Sequence, residues 1–191
     1  MKYERAFINF FSKQQIFNTN DARRFLAKLG AREAYVRLML HNMVKSGKLY
    51  RIEKGNYSLY RNEAVVGFKF RPFYYGLQYA LTIRKIWTQQ SVPVIITKTK
   101  ANPGTRELMG IKVIVRRIDP ERFFGFDYMN YDDIFVPVSD PEKTLLDFTY
   151  YEIKLDPETM TVLRNRIDES KLKIYSERMF GKGENSELIR E

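Results

Sequence analysis

The stretch from Thr19 to Tyr60 leaves this chain few ways to fold. Apolar residues recur at helical spacing in two short blocks, each closed by a glycine, and a glycine-tipped hairpin follows. Thr19 is expected as the N-cap of the first block, with Asn20 and Asp21 in its first turn, where a carboxylate complements the helix dipole. Ala22, Phe25, Leu26 and Leu29 form its apolar face, and Gly30 falls just past its end. The second block runs from Arg32 to Ser46. It buries Val36, Met39, Leu40, Met43 and Val44, and Gly47 stops it. Leu49, Tyr50, Ile52, Tyr57 and Leu59 then sit in β-favouring runs around Glu53-Lys54-Gly55-Asn56, a turn in which Gly55 supplies positive φ. Upstream, Tyr3, Ala6, Phe7, Phe10 and Phe11 share a stripe that predicts a helix from Tyr3 to Lys13.

Helix, helix, helix and hairpin in this order make the winged helix-turn-helix arrangement. Charge follows the same boundary. Residues 1–60 hold 12 lysines and arginines against 4 acids, a net +8, whereas residues 61–191 hold 21 against 19, a net +2. A small basic unit of this shape points to a phosphate backbone as partner. The outward positions expected on the third helix are Arg32, Glu33, Tyr35, Arg37, His41 and Lys45. An α-helix fits the major groove, and arginine pairs bidentately with guanine edges or phosphate. The hairpin offers Lys48, Arg51 and Lys54 to phosphate or the minor groove. Arg23 and Arg24 on the preceding helix are candidates for backbone contacts. The competing explanation for each is a solvated face or an edge hairpin kept soluble by charge.

Beyond residue 60 the pattern is mixed, so the expected class is α+β: the winged domain over 1–62, an α/β domain over 63–155 and a helical extension over 156–191. A connector with a short strand from Ala64 to Phe70 leads to Pro72, and Phe73 to Trp87 reads as an amphipathic helix. Strands are expected at Val92 to Thr99, Lys112 to Ile118, Phe123 to Phe126 and Ile134 to Val138, with 100–106 a hairpin loop. Glu142 to Tyr151 reads as a helix. Asp156-Pro157-Glu158 opens another, and a last helix spans Glu169 to Phe180 before a frayed tail.

Composition removes several functions. Without cysteine there is no disulfide or thiolate metal site, which suits a reducing cytoplasm. The single histidine, His41, leaves no multi-histidine metal centre and no support for a Ser-His-Asp triad. No apolar run reaches the ~20 residues that span a bilayer, and no h-region follows Met1, so neither membrane nor export is expected. No cofactor is expected, since the single glycine of Asn102-Pro103-Gly104-Thr105-Arg106 is far from a phosphate-binding fingerprint. Asp132 and Asp133 are adjacent and would point to opposite faces of a strand. Glu152-Ile153-Lys154 has the E-x-K form of some metal-dependent nucleases but lies after a helix without a matching strand carboxylate. The expectation is a non-enzymatic protein. The alternatives are that nuclease, or a protein-interaction module using the aromatic clusters at 70–75 and 123–131.

Three segments in order resemble the AbiEi family, the antitoxin and transcriptional-regulator partners of type IV toxin–antitoxin systems. They are Met43 to Tyr57, with its R-I-x-x-G-x-Y wing; Tyr79-Ala80-Leu81 followed by Val92 to Thr97; and Val138 to Asp147, with its E-K-T-L-L-D helix. The resemblance covers about residues 19–150. It implies a repressor that binds inverted repeats of double-stranded DNA in its own promoter, and a C-terminal domain linked to neutralising a nucleotidyltransferase-like toxin, with which it need not form a tight complex. A homodimer on such repeats is the expected assembly. The chain departs from the family in the bulky Tyr74-Tyr75 pair and in the charged segment after Asp156, which bears on the C-terminal domain.

Overall fold

The computed structural model describes residues 2–181 and is of mixed α+β class. It divides into two compact units. The first comprises residues up to Lys69 together with Glu107–Ile111 and Asp132–Ile134, and the second holds the remainder. The frayed tail expected from Gly181 onward falls, but for Gly181 itself, on residues 182–191, outside the described residues.

The first unit runs α1 (Glu4–Phe11), β1 (Phe17–Asn18), α2 (Thr19–Lys28), α3 (Glu33–Lys45), β2 (Tyr50–Glu53) and β3 (Asn56–Ser58). Its sheet has the order β1-β3-β2, with both pairings antiparallel. Phe7, Phe11, Phe17, Leu26, Met39, Met43 and Leu49 are each at most 2% exposed, so helices and sheet share one core. Burying each of these side chains contributes about 1.5–3 kcal/mol against leaving it in water. Phe10, on the same predicted stripe as Phe7 and Phe11, is 47% exposed and stacks on Phe25 at 4.3 Å.

Helix ends explain the spacing of the unit. Gly30 (φ +85) and Gly47 (φ +69) adopt the left-handed conformation just past α2 and α3. At α2, Ala31 N–H bonds Leu26 O at 3.0 Å and Gly30 N–H bonds Ala27 O at 2.9 Å. At α3, Lys48 N–H bonds Met43 O at 2.9 Å and Gly47 N–H bonds Val44 O at 3.1 Å. Both are Schellman closures, which absorb the free carbonyls. The N-cap of α2 is Asn18 rather than Thr19. Asn18 Oδ1 accepts from the Asn20 and Asp21 amides at 2.8 and 3.0 Å, while Asp21 returns a carboxylate to Asn18 N–H at 3.0 Å. Thr19 is left to anchor the hairpin turn: its amide donates to Gly55 O at 2.9 Å and its hydroxyl to the same oxygen at 3.3 Å.

The second unit carries most of a six-stranded sheet, order β6-β7-β5-β4-β9-β8. Its strands are β4 (Phe73–Tyr75), β5 (Val94–Thr97), β6 (Gly104–Leu108), β7 (Ile111–Arg117), β8 (Phe126–Tyr131) and β9 (Ile134–Ser139). β4 runs antiparallel to β5 and parallel to β9, and β5 runs parallel to β7. Every residue of β4 and β5 is buried, as expected for central strands covered on both faces. The helices are α4 (Leu77–Ile83), α5 (Pro141–Tyr150), α6 (Pro157–Arg164) and α7 (Glu169–Phe180), with α5 packed against both α4 and α7. Among the described residues no helix is long and apolar enough to cross a membrane.

Four expectations fail locally. Residues 63–70 form a 3-10 helix, not a strand. The helix expected from Phe73 begins only at Leu77, because Phe73, Tyr74 and Tyr75 are a central strand buried on both faces, which lacks the alternation that marks a strand in sequence. Gly76 makes the joint between them: a Cβ there would stand 2.3 Å from Ile96 Cδ1, so a larger residue would require the end of the Ile96 side chain to shift. The hairpin turn lies at Met109 and Gly110 instead of 100–106, and β6 already starts at Gly104. The strand expected at Phe123 to Phe126 starts where that range ends, at Phe126, and runs to Tyr131; Asp132 and Asp133 lie in the turn after it.

Candidate nucleic-acid interface

Burial along α3 divides its surface sharply. Val36, Met39, Leu40 and Met43 face the core, while Ala34, Arg37, Leu38, His41 and Lys45 are exposed. At 100° per residue these five positions form one outward stripe opposite the buried face. It consists of two rows at i, i+4 spacing. One is cationic or imidazole-bearing: Arg37, His41, Lys45. The other is small and apolar: Ala34, Leu38. Leu38, 57% exposed, was not among the candidates taken from the sequence. An apolar residue in a helix is assigned to the core by default, but its position on the Ala34 row rather than the Val36–Leu40 row was a readable signal.

Glu33, the first residue of α3, organises the arginines around it. Its Oε1 accepts from Arg23 Nη2 on α2 and from Arg37 Nη2 one turn along, each at 3.0 Å. Arg23 Nη1 also donates to Asn20 Oδ1 at 3.2 Å. These groups are 43–73% exposed, so each pair contributes about 0–1 kcal/mol. The contacts orient the guanidiniums without locking them, and both remain available to an anion.

The other candidates separate into distinct settings. Tyr35 is half-buried, its ring edge-on to Tyr3 at 5.4 Å and its hydroxyl buried without a hydrogen-bond partner among the described residues. Lys48 is ion-paired with Glu4 of α1, and that ammonium holds the Glu4 carboxyl below its ordinary range. Arg24 lies with Lys28, Phe10 and Phe25 beside a groove between α1 and α2, whereas its neighbour Arg23 reaches α3. Arg32 is the residue preceding α3. Arg51 and Lys54 project from the β2–β3 hairpin. Arg24, Arg32, His41, Lys45, Arg51 and Lys54 are exposed and make no ion pair among the described residues.

In the second unit the E-K-T-L-L-D segment proves to be interior. Lys143 and Asp147 pair one turn apart on α5 with side chains 0% exposed. Tyr74 Oη accepts from Lys143 Nζ at 2.9 Å and donates to Asp147 Oδ2 at 3.0 Å. Burial pushes the Asp147 carboxyl up and the Lys143 ammonium down from their ordinary ranges. It also lifts the Tyr74 phenol well above its own, an effect the Asp147 charge increases. Asp140 caps α5 through Lys143 N–H at 2.8 Å, and Glu142 accepts from Asp168 N–H at 2.8 Å. Lys171 of α7 bridges the Asp140 and Glu142 carboxylates at 3.0 and 3.1 Å. Glu152 closes α5 in the left-handed conformation (φ 54) and is exposed, as is Lys154. Among the described residues no group of three or more His, Cys, Asp or Glu is placed to hold a metal ion.

No protein-family model matches the chain, and no curated protein matches it.

Proposed function

We propose that this chain is a DNA-binding transcriptional regulator whose first unit is a winged helix-turn-helix, with α3 as the recognition helix and the β2–β3 hairpin as the wing. The observation that carries the proposal is the outward stripe of α3. Arg37, His41 and Lys45 stand exposed in one row on a helix of major-groove width, in a unit of net +8. The element order α1-β1-α2-α3-β2-β3, with β3 between β1 and β2, supports it. Arg51 and Lys54 then reach phosphate or the minor groove from the wing. Mobility shifts on the DNA upstream of its own gene test this. Binding that weakens steeply between 50 and 200 mM salt is expected, as when several phosphates are neutralised. Folded protein that shifts no duplex at low salt refutes it.

The physiological role we propose is that of a cytoplasmic, non-enzymatic antitoxin of a type IV toxin–antitoxin system, which represses its own operon at inverted repeats as a homodimer. Its support is the resemblance carried by residues 43–57, 79–97 and 138–147. Co-expression with a nucleotidyltransferase-like toxin encoded beside it is the test, and growth arrest unrelieved by this protein refutes the antitoxin role.

A further inference from the structure

The apolar row of α3 has no partner in the core and sits within a cationic face. Leu38 is 57% exposed, Ala34 one turn before it is exposed, and Arg37 and His41 flank them. What marks this row is its place inside a cationic helix face, where covering it with an apolar group would be favourable. The charges around it favour a polyanion, and a polyanion that also offers apolar groups at recognition-helix depth is duplex DNA. In the major groove the only apolar group on the base edges is the thymine 5-methyl. We propose that Leu38, backed by Ala34, reads a thymine methyl beside the base pair contacted by Arg37, making Leu38 a specificity-determining residue. This rests on the regulator proposal above and deepens it. The target class becomes thymine-bearing B-form DNA, as opposed to uracil-bearing duplexes.

The test replaces thymine by deoxyuridine, which removes the methyl and keeps every hydrogen-bonding group. A preferred duplex is first selected from a randomised pool with the full chain. Each thymine in it is then exchanged singly for deoxyuridine and the dissociation constants are compared. One or two positions are expected to lose roughly fourfold, the worth of one buried methyl. In Leu38→Ala those positions should become insensitive to the exchange; the exposure of Leu38 keeps the variant folded. Leu38→Met, which retains apolar length, should keep the sensitivity. Equal binding of thymine and deoxyuridine at every position overturns the inference and leaves DNA binding standing. So does a Leu38→Ala variant that keeps full sensitivity, or one that changes only the sedimentation of the free protein. Failure to shift any duplex is a different result and overturns the regulator proposal itself.

Discussion

Replacing Lys143 by methionine preserves most of the stem volume and removes one charge from the centre of the second unit. Asp147 would then keep the Tyr74 hydroxyl, at 3.0 Å, as its remaining side-chain donor, with its own side chain 0% exposed. Breaking a buried pair from one side costs about 3–5 kcal/mol, because the stranded charge keeps its full desolvation penalty. For a domain whose total stability is of order 5–15 kcal/mol, that is a large fraction. At roughly 2–4 °C per kcal/mol for a chain of this size, Tm should fall by about 6–20 °C. Urea unfolding followed by the fluorescence of Trp87, the only tryptophan and a residue of the second unit, isolates the effect. Adding Asp147→Leu and Tyr74→Phe removes the stranded acceptor and donor and should recover most of the loss. The pH dependence has a definite sign. Burial raises the folded pKa of Asp147, so its contribution is present below the ordinary carboxylate value and is lost as pH rises through the folded one. Without Lys143 that pKa rises further, and the deficit of the variant should shrink toward pH 4. A loss under about 1 kcal/mol, or a triple variant no more stable than the single, refutes the reasoning.

The two halves of the interface should respond differently. Arg37→Ala should cost about 1–3 kcal/mol on the preferred duplex and relax sequence preference, whereas Lys54→Ala should weaken all duplexes alike and reduce the salt slope by about 1; equal effects of both on preferred and random DNA contradict this division. Glu33→Gln removes the anion shared by Arg23 and Arg37, so random-duplex affinity should rise and the ratio of preferred to random binding should fall in the same shift assay. Glu152→Gly relieves a left-handed residue at the end of α5 and should raise stability by about 0.5–1 kcal/mol in urea without changing DNA affinity.

Helix and hairpin punctuation made the first unit legible. Gly30, Gly47 and Gly55 fall where the backbone turns to positive φ, and the apolar period names most of the core. Charge placed the candidate face on α3. What the sequence hid was contact between distant positions. Glu33 reaches across to Arg23, and Lys48 pairs with Glu4, 44 residues away. Neither follows from local period. The 73–75 strand was illegible for another reason: a fully buried strand has no alternation, so its aromatics were absorbed into the helical stripe that follows. The N-cap is Asn18 rather than Thr19 because two cap-competent side chains are adjacent and the carboxylate of Asp21 closes the box on Asn18 N–H.

Burial also changes what the E-K-T-L-L-D segment can mean. Of its polar side chains, Glu142 is 3% exposed and Lys143, Thr144 and Asp147 are 0% exposed, so none is free to meet a partner in this fold. They tie α5 to β4 through Tyr74 and, through Glu142, to the start of α7. A similarity carried by such residues reports how the unit is held together. Any surface through which the second unit acts must be built from other side chains, and Tyr128 and Phe135 on β8 and β9, 69% and 63% exposed, are large apolar groups available for it. Under the antitoxin role proposed above, loss of action from a change in α5 would therefore arrive with loss of fold. Loss from Tyr128→Ser or Phe135→Ser, with Trp87 reporting unchanged urea stability, would mark a contact.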